Sequence, residues 1–338
     1  MDFQKTEGGF SFSEPLFIYK ILIFALLVNI FQRVKKDILD NWEFTKANEI
    51  EKLIKEERHG EALIILNKSL REKPNNELII SAKADVLFDI ERYTEAINLY
   101  KKAVKINSEE ISHFANIGLC YYENEDYEKS INYLNKFLEH EPDDVETLSI
   151  QARSLAELNR NEESLETITK VIELNPDDPD EHYMLATLLS KTEKYDESNK
   201  ILNNLIKEDP EDATLWILKA FNNINQENFE HAIVSSDTAL EIEPEDTISL
   251  TNKATALLEI GKLDEAQVCL TKSIEIDATD DDSWYQQARI LAKLKKIEDS
   301  LDSLLVSVSL EDNNKELAKT EKDFLILQNN DRFKKIIS

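Results

Sequence analysis

Glycine is scarce in this chain of 338 residues, which contains only 5 glycines and 7 prolines. Average usage would give more than about twenty glycines. The chain therefore has little material for tight hairpin turns or for the glycine-rich loops that hold phosphate groups. This scarcity argues against a β-rich fold and a phosphate-loop site, and it predicts an almost entirely helical protein.

Cysteine and basic residues are also few. Cys120 and Cys269 cannot build a disulfide framework, and no Cys-X-X-Cys pair indicates zinc or redox chemistry. The 40 Lys and Arg residues are outnumbered by 68 Asp and Glu residues, which gives a formal net charge of -28. Because phosphate backbones are bound through basic side chains, this charge argues against a nucleic-acid partner and favours neutral or basic partners.

The sequence does contain a repeat of 34 residues. Eight units of this length follow one another without insertion or deletion: 43–76, 77–110, 111–144, 145–178, 179–212, 213–246, 247–280 and 281–314. Five prolines fall at position 32 of a unit: Pro74, Pro142, Pro176, Pro210 and Pro244. Positions 8 and 20 hold small residues in fifteen of sixteen cases, whereas positions 4, 11 and 17 include many large apolar and aromatic residues. Because positions 4, 7, 8 and 11 share one helix face, each unit is predicted to bury that face against a second helix.

This pattern resembles the tetratricopeptide repeat, a helix-turn-helix unit of 34 residues. The resemblance covers residues 43–314 and implies an all-α, right-handed superhelix of eight helix pairs. Proline at position 32 would end the second helix, and the acidic residues after it suit the start of the next helix. Residues 315–338 are predicted to form a capping helix over the exposed apolar face of the last repeat.

Two polar residues interrupt the predicted core of the sixth unit. Asn223 and Ser236 replace apolar residues there, which predicts either a local soft spot or a hydrogen-bonded polar pair. The acidic turns lack the Gly and Glu spacing of a calcium loop, and the sequence contains no recognisable catalytic motif. We therefore expect no metal, no cofactor and no enzymatic activity.

The N-terminal region has a different composition. After a polar tail at 1–14, the segment 15–36 contains a long apolar run and is predicted to span a membrane, followed by a linker at 37–42. Basic residues after the run, Arg33, Lys35 and Lys36, would place the repeats in the cytoplasm. The alternative is a hydrophobic helix packed on the first repeat of a soluble cytoplasmic protein.

The resemblance also implies a binding surface. In tetratricopeptide repeats, positions 2, 5, 6, 9, 12 and 13 of the first helix line a concave groove that holds peptides. The candidate groove residues here lie at positions 5, 6 and 9: Asn48, Asn116, Arg153, Tyr183, Ile217, Phe221, Asn252, Tyr285, Gln286 and Arg289. Amides could pair with a peptide backbone, and aromatic rings could contact its side chains.

These features predict a non-catalytic scaffold that binds a peptide or protein in the groove. The alternative is an accessory or assembly subunit of a membrane enzyme or transporter complex, held through the acidic convex face. Some members of the family bind chaperone tails through a carboxylate clamp of Lys, Asn and Arg side chains. Because Glu146 and Asp282 stand where this clamp requires basic residues, chaperone binding is not expected.

Overall fold

The computed structural model describes residues 41–338, and side-chain burial from residue 46 onward. The predicted tail at 1–14, the predicted membrane span at 15–36 and most of the linker at 37–42 lie outside the described residues. Among the described helices, none has the length and apolar character needed to cross a bilayer. The described residues divide into two compact units, 41–181 and 182–338.

The regular elements of residues 41–338 are all helical, and eight helix pairs follow the 34-residue period. The first helices of the pairs are α1 Asn41–Lys55, α3 Glu77–Asp89, α5 Ser112–Glu123, α7 Val145–Glu157, α9 Pro179–Lys191, α11 Ala213–Asn225, α13 Thr247–Glu259 and α15 Asp281–Lys293. The second helices are α2 His59–Glu72, α4 Tyr93–Ile106, α6 Tyr127–Leu138, α8 Asn161–Leu174, α10 Tyr195–Glu208, α12 Phe229–Ile242, α14 Leu263–Ile276 and α16 Ile297–Leu310.

The C-terminal cap differs from the single helix predicted for 315–338. It consists of α17 Asn314–Thr320, a 3-10 helix Lys322–Leu327, and α18 Asp331–Ile336. The chain breaks because side chains start new helices: Glu321 accepts a bond from the Asp323 backbone N–H, and Asn330 accepts bonds from the N–H groups of Arg332 and Phe333. These short elements bury Phe324 and Phe333 against the last repeat.

The two helices of every pair are joined by the same turn. Position 15 has a positive φ in all eight repeats: 56 to 62° at Glu57, Glu91, Glu125, Asn159, Glu193, Glu227 and Lys295, and 81° at Gly261. In the second repeat the Arg92 N–H donates to the Leu87 carbonyl and the Glu91 N–H donates to the Phe88 carbonyl, both at 2.8 Å. These paired bonds end the first helix as a Schellman motif. Glycine is favoured at such a φ, yet seven of the eight turns lack it.

The start of the first helix is also repeated. Side chains at position 34 cap the next first helix in six places: Asn76, Asp144, Asp178, Asp212, Asp246 and Asp280. Each side chain accepts a hydrogen bond from a free backbone N–H of the first turn, as the turn sequences predict. Because the same positions begin and end each first helix, the same positions of every repeat face its neighbours.

Small residues let the two helices of a pair approach closely. Ser164, Ser198 and Ser300 at position 20 donate hydrogen bonds of 2.7 Å to the carbonyls at position 8 of their own repeats. A Cβ added at Gly118 would lie 2.5 Å from Leu134 Cδ2, closer than packed carbon atoms can approach. The predicted small positions are therefore the closest packed points of the helix pairs.

The sixth repeat contains a soft spot rather than a polar pair. Asn223 and Ser236 are both buried, but Ser236 Oγ has no hydrogen-bond partner. An unpartnered buried hydroxyl costs stability. The neighbouring Asn222 is satisfied instead, because it accepts from Ser190 Oγ at 2.5 Å and donates to Ser198 Oγ at 2.8 Å.

Candidate functional site

The predicted groove positions lie on the first helices, and the structure places the ten candidate residues in two classes. Six side chains are buried: Asn116, Arg153, Ile217, Tyr285, Gln286 and Arg289. Four are half-buried: Asn48, Tyr183, Phe221 and Asn252. The buried residues contact other parts of the chain, whereas the half-buried residues keep part of their side chains at the surface.

Arg153 is used inside unit 41–181. Its Nη2 atom donates to Glu181 Oε1 at 3.2 Å, and both residues are buried at 6% exposure. A buried arginine paired with a carboxylate has its charge compensated within the chain. Arg153 is therefore an internal ion-pair residue rather than an exposed cation.

Arg289 occupies the same position in the last repeat and is the centre of a buried ion cluster. Its guanidinium lies 2.6 Å from Glu259, 3.1 Å from Glu321 and 2.9 Å from Asp323. Gln286 Oε1 accepts a further bond from Arg289 Nη1 at 2.9 Å. Burial alone would lower the pKa of Arg289, but these carboxylates reverse the effect and raise it.

Tyr285 is covered by the same C-terminal segment. Its ring meets the ring of Phe324 edge to face, with centroids 5.7 Å apart and planes at 80°. Tyr285 and Arg289 thus contact the cap, and Gln286 is buried and bonded to Arg289. The sequence shows the cap as amphipathic, but it carries no signal that Glu321, Asp323 and Phe324 return to α15.

The structure brings Tyr183 and Phe221 to one place in unit 182–338. Both are half-buried and pack against one hydrophobic cluster, which includes Leu202 and Leu218. Ile217 lies beside them but is buried. Asn252 lies on another first helix, α13, and its Nδ2 atom is buried without a hydrogen-bond partner.

Sequence reasoning missed a set of carboxylates at the predicted groove positions of unit 41–181. Burial raises the pKa of Asp85 to about 7, against a lowering effect of the hydrogen bond from Tyr100. Burial, together with Asp144, raises the pKa of Glu146 to about 7. Burial is the main cause that raises the pKa of Glu123, and the negative charge of Glu91 raises it further. In the described part of the chain, no Lys or Arg forms an ion pair with Asp85, Glu123 or Glu146.

Neither cysteine has the environment of a nucleophile. Cys120 and Cys269 are buried, and burial raises the pKa of both thiols. Within residues 41–338, no three His, Cys, Asp or Glu side chains are arranged to hold a metal ion.

Family models agree with this architecture. A TPR repeat model matches residues 84–125, and tetratricopeptide repeat models match residues 116–179, 155–220 and 248–280. The chain therefore belongs to the tetratricopeptide repeat family, as its 34-residue period predicts. No curated protein sequence matches the chain.

Solved structures of the family share the fold. YrrB, described as a TPR protein with an unusual peptide-binding site, has a TM-score of 0.51 and 20% identity, covering 56% of this chain and 97% of that one. A tetratricopeptide repeat protein from Parabacteroides merdae has a TM-score of 0.54 and 18% identity, covering 76% and 98%. The APC/C hetero-tetramer Cut9-Hcn1 has a TM-score of 0.55 and 16% identity, covering 80% and 54%.

Proposed function

We propose that this protein is a non-catalytic scaffold that binds a basic segment of a partner on the first helices of unit 41–181. The observation that carries this proposal is a set of three carboxylates, the buried Asp85 and the half-buried Glu123 and Glu146. Burial raises their pKa values, and among residues 41–338 no Lys or Arg forms an ion pair with them. A Lys or Arg side chain from a partner would supply the missing charge. YrrB, which shares the fold, is described as having a peptide-binding site.

Binding has a proton signature that distinguishes it from loose surface attraction. A cation placed beside Glu146 favours the ionised carboxylate and lowers its pKa from about 7. Near pH 7, binding would therefore release protons. Calorimetry in buffers with different ionisation enthalpies would detect this release, because the buffer takes up the protons.

The direct test uses a short Lys/Arg-rich peptide and charge-matched variants of the full chain. Glu123→Gln/Glu146→Gln removes two carboxylates of the proposed site. Glu166→Gln/Glu173→Gln removes two exposed carboxylates from α8 and is the control. We expect the first variant to weaken binding by about tenfold and the control by less than about twofold. Equal losses would mean that only the net charge attracts the peptide, and the proposal would fail.

The aromatic pair in unit 182–338 is a second place where a peptide side chain could bind. Phe221→Ala and Tyr183→Ala test this contact, since both rings are half-buried on the first helices. Variants at Tyr285 and Arg289 would be uninformative here, because they would disturb the C-terminal cap. Retained affinity in both aromatic variants would restrict the peptide site to unit 41–181.

The predicted membrane anchor at 15–36 and the cytoplasmic side of the repeats remain predictions from composition. Their test is fractionation of the full chain with a carbonate wash, compared with a chain that begins at residue 41. Release of the full chain into the soluble fraction would contradict the anchor. Partners lost only when residues 1–40 are deleted would favour the accessory-subunit alternative over the groove.

A further inference from the structure

The second helices α4 and α6 have a charge opposite to that of the chain as a whole. Helix α4 contains three lysines and one glutamate, and α6 contains two lysines and one glutamate. Acidic residues instead outnumber basic ones in α8, α12, α14 and α16. The acidic face expected from composition is thus interrupted in the second and third repeats.

Three lysines of these helices converge on stacked aromatic rings. Tyr121 and Tyr133 stack with centroids 5.6 Å apart and planes at 26°. The ammonium of Lys101 lies 5.0 Å from the Tyr121 ring and 5.4 Å from the Tyr133 ring. Lys129 lies 5.4 Å from Tyr121, and Lys136 lies 4.6 Å from Tyr133. These distances are within the range of cation-π contacts, which hold the ammonium groups close together.

The edge of this arrangement is Phe114, whose ring centroid lies 6.4 Å from that of Tyr133 and 5.7 Å from the Lys136 ammonium. We call the surface formed by Lys101, Lys129, Lys136, Phe114, Tyr121 and Tyr133 the lysine-tyrosine patch. Its aromatic residues stand at positions 4, 11 and 23 and not at the predicted groove positions. The patch is therefore a different surface from the carboxylate site.

The positive charge of the patch is only partly compensated. Lys129 pairs with Asp126, while Lys101 donates to the hydroxyl of Tyr121 at 2.7 Å. Among the described residues, no carboxylate forms an ion pair with Lys101 or Lys136. These two ammonium groups also lie over the same aromatic ring, that of Tyr133, at 5.4 and 4.6 Å from its centroid. Neighbouring ammonium groups repel one another, and an external anion between them would relieve this repulsion.

We propose that the lysine-tyrosine patch binds an Asp/Glu-rich segment of a partner protein. Carboxylates of such a segment reach the ammonium groups, and their apolar stems lie on the half-buried rings of Tyr133 and Phe114, whereas Tyr121 is buried beside them. A long polyanion fits less well, because three lysines neutralise few phosphates while the net charge of -28 repels the remainder. A short acidic segment gains the local contacts and carries less charge to be repelled.

The test measures binding of a fluorescent twelve-residue polyglutamate peptide to the full chain by anisotropy at low salt. Lys101→Gln/Lys136→Gln removes the two uncompensated cations. Lys170→Gln/Lys272→Gln makes the same change in net charge on other second helices, where these lysines bond the carbonyls of Pro142 and Pro244. We expect an affinity loss of about tenfold for the patch variant and of less than about twofold for the control.

A charge-retaining variant separates binding from folding. Lys101→Arg/Lys136→Arg should keep the affinity within about threefold, and circular dichroism should give every variant the wild-type helical signal. Equal losses in the patch and control variants, or no binding by the wild-type chain, would overturn the proposal. Tighter binding of duplex DNA or of anionic phosphatidylserine vesicles than of the peptide would also overturn it, since the partner would not be a protein.

Discussion

Position 9 of the first helix carries opposite charges in the second and the last repeat. Asp85 in unit 41–181 and Arg289 in unit 182–338 are almost equally buried, at 5% and 6% exposure. Asp85 receives a hydrogen bond from Tyr100 and forms no ion pair with a Lys or Arg of residues 41–338, whereas Arg289 is surrounded by three carboxylates. The repeat thus places both charges at the same helix position, but it does not set how each charge is compensated.

This difference separates two uses of the same position. In unit 182–338 the charge holds the cap on the last repeat through Glu321 and Asp323. In unit 41–181, burial makes Asp85 destabilising when it is ionised. A cation from outside the chain, placed beside this carboxylate, would offset that cost. Five substitutions test this comparison.

The largest effect is expected for Arg289→Ala. This substitution would leave the carboxylates of Glu259, Glu321 and Asp323 without their cation. We therefore expect the free energy of unfolding of unit 182–338 to fall by about 3 kcal/mol. Urea unfolding followed by tryptophan fluorescence would measure this loss. The control Arg332→Ala removes a more exposed arginine bonded to Glu298, and we expect a much smaller loss because solvent screens this ion pair. Similar losses in the two variants would remove the distinction between the buried cluster and a surface pair.

Ala186→Leu tests the packing that both units share. Ala186 is fully buried, and its carbonyl accepts a 2.7 Å bond from Ser198 in the paired helix. Overpacking should therefore reduce the free energy of unfolding by roughly 1 to 3 kcal/mol. Asn204→Leu, at an exposed position of α10, should leave the melting temperature nearly unchanged. An unchanged melting temperature in Ala186→Leu would contradict the close helix contact.

Asp85→Asn tests the uncompensated charge through the pH dependence of stability. Burial raises the pKa of Asp85 to about 7 in the folded chain, whereas an unfolded aspartate titrates near about 3.9. The folded state therefore binds more protons between about pH 4 and pH 7, so the Asp85 contribution to stability falls as pH rises through this window and is constant above it.

The asparagine variant has no such titration. We expect its free energy of unfolding to exceed that of wild type by about 1 to 2 kcal/mol at pH 8 and to equal it near pH 4. Thermal melts across this range measure the difference. Asp177→Asn, at an exposed turn, is the control and should leave the pH profile unchanged. A parallel shift at every pH would show that the charge of Asp85 is not the cause.

The smallest effects are expected at the turns. Glu91 has φ of 62°, so Glu91→Gly should increase the free energy of unfolding by about 0.5 to 1 kcal/mol. In the other unit, Gly261→Glu should decrease it by a similar amount, because Gly261 has φ of 81°. Glu95→Gly, within helix α4, should be destabilising, and the same sign in all three variants would contradict the left-handed turn.

Much of the fold was predictable because the 34-residue pattern repeats the same local information. Small residues such as Ala186 and Ser198 mark the contact between paired helices, and both are fully buried. The turn was not predictable, since a glutamate at position 15 gives no signal for a positive φ. The break in the cap was also missed, because Glu321 and Asn330 start new helices inside an amphipathic segment.

The candidate site was less predictable than the fold. Helical position places Phe221 and Arg289 on the same face, and the structure leaves Phe221 half-buried while burying Arg289 under the cap. The acidic residues at Asp85 and Glu146 are visible in the sequence, but their raised pKa values depend on burial by neighbouring helices. The sequence therefore indicates which helix face forms a surface. It does not indicate which side chains of that face are exposed.

The amino-acid sequence by itself determined the helix pairs, their period and the small positions at which they pack, because these depend on local hydrogen bonds and on helical periodicity. Tertiary structure alone decided which charges are compensated. Arg289 meets Asp323 across 34 residues of chain, whereas Asp85 forms no ion pair with a Lys or Arg in the described part of the chain. Charge compensation depends on distances of a few ångströms between side chains on different helices, and a repeat period does not specify those distances.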